Sequence, residues 1–333
     1  MRIPYFDFLR CFAIMMVVFV HCFGFCYTYP DVIIPIVFIR NLMNVAVPIF
    51  FAVSGYLLAT KQMENGGYAL FLKKQIPRVY IPVLFCSLFF LFKDLSHGFS
   101  VNFFVKFFCC GYSVYYFIAV IIQCYVLLWF FKKNVSVLLL IILAILGFVW
   151  WGMVHSLFCV YMEKEVPLVL YAGNIIPWGI FFVEGLYIGL KKNMKIPVVI
   201  LAVVGLSILL SIIESFFIMQ YTLSLQGLGQ KSSIFCFNVL FCAVVLQEKV
   251  KKFFSNFERY KIYQILCSIG RCSFGIYLVH FFILSKIVLL DDIISLPFIK
   301  WIVDSVVTFV FCFVLLFCLK KIAPKVSRIL LGV

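Results

Sequence analysis

Along this chain, long unbroken runs of apolar residues alternate with short stretches rich in Lys, Arg, Asn or Pro, and the rhythm persists from end to end. Runs of about 17–25 residues suffice to cross a hydrocarbon layer of roughly 30 Å as helices rising ~1.5 Å per residue. Ten helical spans are predicted, over 6–27, 41–60, 78–92, 113–131, 135–153, 174–190, 196–213, 232–247, 265–287 and 300–319. The runs are continuous rather than alternating polar with apolar, so the pattern of a membrane barrel is absent. The expected fold is all-α, a polytopic integral membrane protein of about ten transmembrane helices. No low-complexity linker and no clear internal repeat divides it, so residues 1–333 are read as a single domain.

The connections are mostly short. The longest are the outer segments 93–112, 154–173 and 214–231 and the inner segments 61–77 and 248–264. Within the first, FSVNFFVKFFCC (99–110) mixes Asn102 and Lys106 into an aromatic run, a composition suited to lying along the outer interface. Pro48 and Pro177 fall inside predicted helices, where a lost backbone hydrogen bond is tolerated beside a cavity or a neighbouring helix.

Composition agrees with lipid as the solvent. Of 333 residues 65% are hydrophobic and only 12% charged, with 42 Phe, against about 25% charge in a globular domain. The net charge of +15 would point to nucleic acid in a soluble chain, but here the basic residues collect in alternate loops. With the N-terminus inside, the cytoplasmic segments hold 19 Lys and Arg and the opposite ones about seven, among them Arg40, Lys231 and Lys300, with Asp31, Glu163 and Glu214 nearby. Both termini are therefore expected in the cytoplasm, and the cations meet anionic lipid headgroups without any nucleic-acid partner. Asp7 and Arg10 at the start of the first run, with no small-residue cleavage site after it, argue for a retained helix over a secretory signal. The fourteen Cys form no C-x-x-C pair and mostly lie in apolar runs. His21, Cys22 and Cys26 share no helix face, so neither a disulfide scaffold nor a metal site is expected.

An Arg or Asp at mid-helix costs roughly 2.5–3.5 kcal/mol on insertion scales, which makes intramembrane charges candidates for function. In FDFLRCFAIMMVVFVHCF, Arg10 and His21 are eleven positions apart, close to three turns at about 3.6 residues per turn, so both project from one face. Their axial separation is about 16 Å. Asp7, one turn before Arg10, can pair with it and reduce the desolvation cost of both. Plainer roles are an interfacial anchor for Arg10 and a bonded neutral imidazole for His21. Glu184 is the one acid in its run, either a hydrogen bond at a helix crossing or a group that orients a cavity cation or an acceptor. Tyr277 and His280 share a face, and a packed aromatic pair or a substrate contact both suit them.

These motifs together resemble the membrane acyltransferase-3 family. The Asp–Arg–His first helix, VPIFFAVSGYLLA (47–59) with its aromatic–Ser–Gly motif, the basic KKQIPRVYIP (73–82), YYFIAVIIQCYVL (115–127), FFVEGLYIGL (181–190) and IGRCSFGIYLVHFF (269–282) occur in family order over nearly the whole chain. One departure stands out. The family commonly carries two arginines three apart where the third helix opens, and here Gln75 precedes Arg78.

The resemblance implies transfer of an acyl group, usually acetyl, from cytoplasmic acyl-CoA to a hydroxyl of a cell-surface or lipid-linked glycan by a multi-pass enzyme of the bacterial plasma membrane, with no cofactor beyond that donor substrate. Arg10, Arg78 and Lys74 would form a cationic rim for the donor's phosphates. His21 would act as general base or form an acyl-imidazole, two roles the sequence does not separate. Ser54, Asp7, Glu184, Tyr277 and His280 would support the site or meet the acceptor, Ser54 lying far from His21 in depth and Gly55 serving close helix packing. A different class, a glycan or lipid exporter without chemistry, would use the same charged cavity as a conduit.

Overall fold

The computed structural model describes residues 3–28, 31–61, 67–154, 171–191, 199–287, 294 and 296–332. Among these the chain is all-helical and has no strand. Helix α1 (Pro4–Cys26) starts on a proline, whose missing N–H breaks no bond there. Then come α2 (Ile34–Met43), a turn at Asn44 and Val45, and α3 (Ala46–Ala59), with Pro48 harmlessly in its first turn. The long α4 (Gly67–Ser96) carries the basic stretch inside the helix and contains Pro77 and Pro82. Next are α5 (Val101–Phe108), α6 (Tyr116–Asn134), α7 (Val137–Gly152), α8 (Gly179–Lys191) and α9 (Val199–Thr222). The rest is α10 (Ser232–Val245), α11 (Glu248–Ser255), α12 (Lys261–Arg271), α13 (Ser273–Ile287), α14 (Pro297–Ile322) and α15 (Pro324–Leu330).

Seven described stretches are long and apolar enough to cross a membrane, and α12 with α13 would make an eighth. The two other expected spans fall on α7 and α8, whose 16 and 13 described residues reach about 24 and 20 Å at ~1.5 Å per residue. Several expected boundaries move. The predicted ninth span, 265–287, is two helices meeting at 71°. The second span begins before Arg40 rather than after it, because that guanidinium is buried and hydrogen-bonded within the helix. The seventh runs through Glu214 to Thr222, because the Glu214 carboxylate accepts hydrogen bonds from the Ser233 N–H, at 2.9 Å, and from the Ser233 hydroxyl. Pro177 lies in the turn before α8, not in a helix. The expectations for Arg2, His155, Glu163, Lys164, Glu165, Lys192, Lys195, Pro197, Asp291 and Asp292 lie outside the described residues.

Close packing centres on α3 and α8. A Cβ on Gly185 would collide with the Ala52 carbonyl and come within 2.8 Å of the Tyr56 nitrogen, and one on Gly55 would strike the Phe182 carbonyl. With no hydrophobic effect between helices in lipid, such close backbone approach supplies dispersion contacts that larger residues would block. Gly270 similarly lets α12 rest on the Asp7–Cys11 backbone of α1. Outward surfaces are apolar: α14 exposes Val306, Val310, Val314 and Phe317 while burying Asp304, Ser305 and Thr308 against the bundle. The interfacial segment forms α5, tied to its neighbours by Tyr80 and Tyr112 hydroxyls donating to the Phe108 and Phe103 carbonyls at 2.8 and 3.1 Å.

Candidate functional site

A cavity of about 1020 Å³ lies between α1, α2, α3, α4, α6, α12 and α13. Its wall follows α1 from Arg10 to His21, α3 from Ser54 back to Ala46, and α6 from Tyr125 back to Tyr116. The shared face inferred from the eleven-residue spacing is thus a lining face. Four arginines, Arg10, Arg40, Arg78 and Arg271, reach the cavity, and among its described lining residues there is no Asp or Glu.

Three of these cations belong to one end. Arg10 and Arg78 both lie within electrostatic reach of Tyr125. Arg271 occupies the bend between α12 and α13, next to Gly270, which rests on the Asp7 backbone. Asp7 is buried behind the wall and holds Arg10 at 3.6 Å. Gln75 lines the cavity beside Arg78. Lys74 is exposed at the edge of that helix face and off the wall. Ser54 is on the wall at this end, but its hydroxyl donates to the Phe50 carbonyl at 2.7 Å.

At the other end His21 is half-buried, its ring centroid 5.3 Å from that of His280. His280 is fully buried behind the wall. Its Nδ1 is 2.7 Å from the Tyr277 carbonyl, so Nδ1 carries the proton and Nε2 is left as an acceptor that has no partner among the described residues. Tyr277 lines the cavity and donates to the Val114 carbonyl, while Tyr115 donates back to the Leu278 carbonyl at 2.8 Å. This reciprocal clamp gives the YYF and YLVH motifs a common structural task. Glu184 does not reach the cavity: it is buried in α8, and its Oε2 has no hydrogen-bond partner among the described residues.

Sequence reasoning missed the polar group around His21. Arg40 and Lys231 read as loop cations because both flank apolar runs, yet both are buried. Arg40 Nη1 donates to Asn44 Oδ1 at 3.0 Å, and its guanidinium lies 6.0 Å from the Phe23 ring centre, two residues beyond His21. Lys231 donates to Asn41 Oδ1 at 2.9 Å, and Asn41 donates to the Ser211 and Ser215 hydroxyls. Asn44 donates to the Leu228 carbonyl at 2.9 Å and Gln230 to the Asn44 carbonyl at 2.6 Å, which seats residues 225–230 against the cavity. The available signal was Arg40, Asn41 and Asn44 within one helical turn of an otherwise apolar stretch, RNLMNVAVPIFF. Trp151 and Trp178 complete this end.

Among the described residues no group of three or more His, Cys, Asp or Glu could hold a metal ion. A family model described as an acyltransferase domain, Acyl_transf_3, matches residues 3–319. No curated protein and no solved structure matches the chain.

Proposed function

Because the chain belongs to the acyltransferase-3 family, we propose that this membrane acyltransferase moves an acyl group, acetyl foremost, from cytoplasmic acyl-CoA to a hydroxyl of a cell-surface or lipid-linked glycan. The observation that carries this reading is one continuous cavity joining three arginines to a histidine about 16 Å further along α1. The arginine end is the donor end. Arg10, Arg78 and Arg271 offer planar forks to the phosphates of the nucleotide, and Gln75 adds a neutral donor. The pantetheine arm then extends along the Arg10–His21 face and brings its thioester to the imidazole. In this arrangement the acyl group crosses the hydrocarbon while the charged nucleotide stays at one surface.

The chemistry needs a base near neutrality, and an imidazole with a reference pKa of about 6.5 serves. His21 takes the proton of the acceptor hydroxyl as its oxygen attacks the thioester carbonyl. Collapse of the tetrahedral adduct breaks the C–S bond, and the departing thiolate regains the proton from the imidazolium. An acyl-imidazole, with His21 as nucleophile and a second transfer to the hydroxyl, uses the same positions. Both termini sit in the cytoplasm in this scheme, the host membrane being the bacterial plasma membrane, and residues 1–333 act as one domain. Purified full-length protein in lipid, given labelled acetyl-CoA and a panel of envelope glycans, should transfer label to glycan. Movement of glycan across a vesicle membrane with no label transferred would instead identify an exporter.

A further inference from the structure

The proposed function leaves one charged group without work. Arg40 is too far from the donor end to share in phosphate binding there: it lies against Phe23, thirteen residues and about 20 Å along α1 from Arg10. It is 8% exposed, yet it lines the cavity. Among the described residues it meets no carboxylate. One nitrogen, Nη1, is engaged by Asn44, and Nε has no acceptor. A buried cation of this kind is costly unless something neutralises it. Arg40 also lies within electrostatic reach of both His21 and Lys231, and the nearby carboxylate of Glu214 acts on Lys231 rather than on Arg40. The same cavity wall carries Gln226 and the rings of Trp151 and Trp178, while the Asn44 amide is taken up by Arg40 and the Leu228 and Gly229 carbonyls. Amides and flat aromatic faces suit a sugar ring, and a planar guanidinium suits an oxyanion.

We propose that the His21 end of the cavity is an anion-reading acceptor site, in which Arg40 takes a carboxylate or phosphate borne by the saccharide whose hydroxyl faces His21. The inference rests on the acyl-transfer reading and narrows its acceptor to acidic saccharides: those containing a uronic acid, or those carrying a phosphodiester. Asn44 orients the guanidinium through Nη1 and leaves the far edge of the fork to the ligand. Gln230, which donates to the Asn44 carbonyl and accepts from Asn238 at 2.9 Å, holds the backbone that presents Asn44 to Arg40. Anchoring the acceptor by its acid next to His21 fixes which hydroxyl the imidazole can deprotonate, so charge recognition would also set the position of acylation.

The test is binding, which needs no turnover. Full-length protein in nanodiscs is titrated with three matched oligosaccharides, ending in hexuronate, in hexose phosphodiester and in neutral hexose, and followed by tryptophan fluorescence. In parallel it is titrated with acetyl-CoA. Wild-type protein should bind one or both acidic probes at least tenfold more tightly than the neutral one, and the preferred arm identifies carboxylate or phosphate as the group read. Arg40→Gln should erase that preference and leave acetyl-CoA affinity within twofold, whereas Arg78→Gln should weaken acetyl-CoA at least tenfold and leave the acidic preference intact. Arg40→Lys, which keeps the charge without the fork, should retain a reduced preference, and it stands in for the glutamine variant should that fail to fold. Equal binding of acidic and neutral probes by wild type, or an unchanged preference in Arg40→Gln, overturns the proposal. Either result leaves acyl transfer itself intact, whereas absence of acetyl-CoA binding in wild type would overturn that reading separately.

Discussion

At the scale of single residues, the proposed chemistry depends on His21 and on what stands behind it. Substituting His21→Ala removes the only imidazole on the described cavity wall and should lower acyl transfer about 10²-fold or more, with membrane insertion and acetyl-CoA binding intact. A radiolabel transfer assay alongside a binding titration separates those effects. His280 offers a subtler test. Its Nδ1–H is committed to the Tyr277 carbonyl, Nε2 has no partner among the described residues, and its ring centre is 5.3 Å from that of His21, the group that would become an imidazolium in the proposed transfer. His280→Phe keeps the volume but loses that acceptor, so kcat should fall roughly tenfold, the equivalent of about 1.4 kcal/mol, while KM for acetyl-CoA stays put. His280→Gln, which restores an acceptor, should recover part of the loss; a purely packing role would rank the two variants the other way. Arg10, Asp7 and His21 stood out in the sequence because charge inside an apolar helix is expensive. Arg40 did not, because a cation at the edge of an apolar run is indistinguishable in sequence from one that faces headgroups until its burial is known.

At the scale of elements, the predicted spans found helices wherever the apolar runs were long, and the errors cluster at polar residues. Ending a span at Arg40 or Glu214 assumes that a charge meets water; both instead meet partners inside the bundle, Asn44 for one and Ser233 for the other. The bend between α12 and α13 was equally hidden, since IGRCSFG contains no proline to mark it. The glycines of α3 and α8 were better signposts. Gly185→Ala places a methyl against the Ala52 carbonyl and should destabilise the protein by about 1–3 kcal/mol as overpacking. Gly205→Ala in α9, where a Cβ meets nothing within 4 Å, should be neutral or gain up to about 1 kcal/mol from helix propensity. Thermal unfolding of both variants in one detergent decides whether close approach, rather than glycine as such, is what α8 requires.

At the scale of the whole molecule, the spacing of Arg10 and His21 gave one face of the cavity, and the rest of its wall was not legible along the chain. Its wall draws on residues as distant in the chain as Arg10 and Gly332, and only the folded bundle brings them to one volume. Four arginines without an acid among the described residues of that wall would make binding of the proposed acyl-CoA donor electrostatic in character. Affinity for acetyl-CoA should therefore fall as salt rises from about 0.05 to 0.5 M, where the screening length shortens severalfold. Dephospho-acetyl-CoA, with one phosphate fewer, should bind more weakly and show a shallower salt dependence. Isothermal titration across a salt series checks both expectations; a salt-independent affinity would mean that the arginines do not hold the donor.

The glycine seam between α3 and α8 has a mechanical corollary. Backbones interlocked at Gly55 and Gly185 leave that flank of the passage no room to breathe, because any shear there drives a carbonyl into its neighbour. The corner at Arg271, where the chain turns through 71°, is held in the same way, because a Cβ on its neighbour Gly270 would strike the Asp7 carbonyl of α1. With a seam on each side, a bulky guest has to be accommodated by rotation of side chains on the wall rather than by separation of these helices.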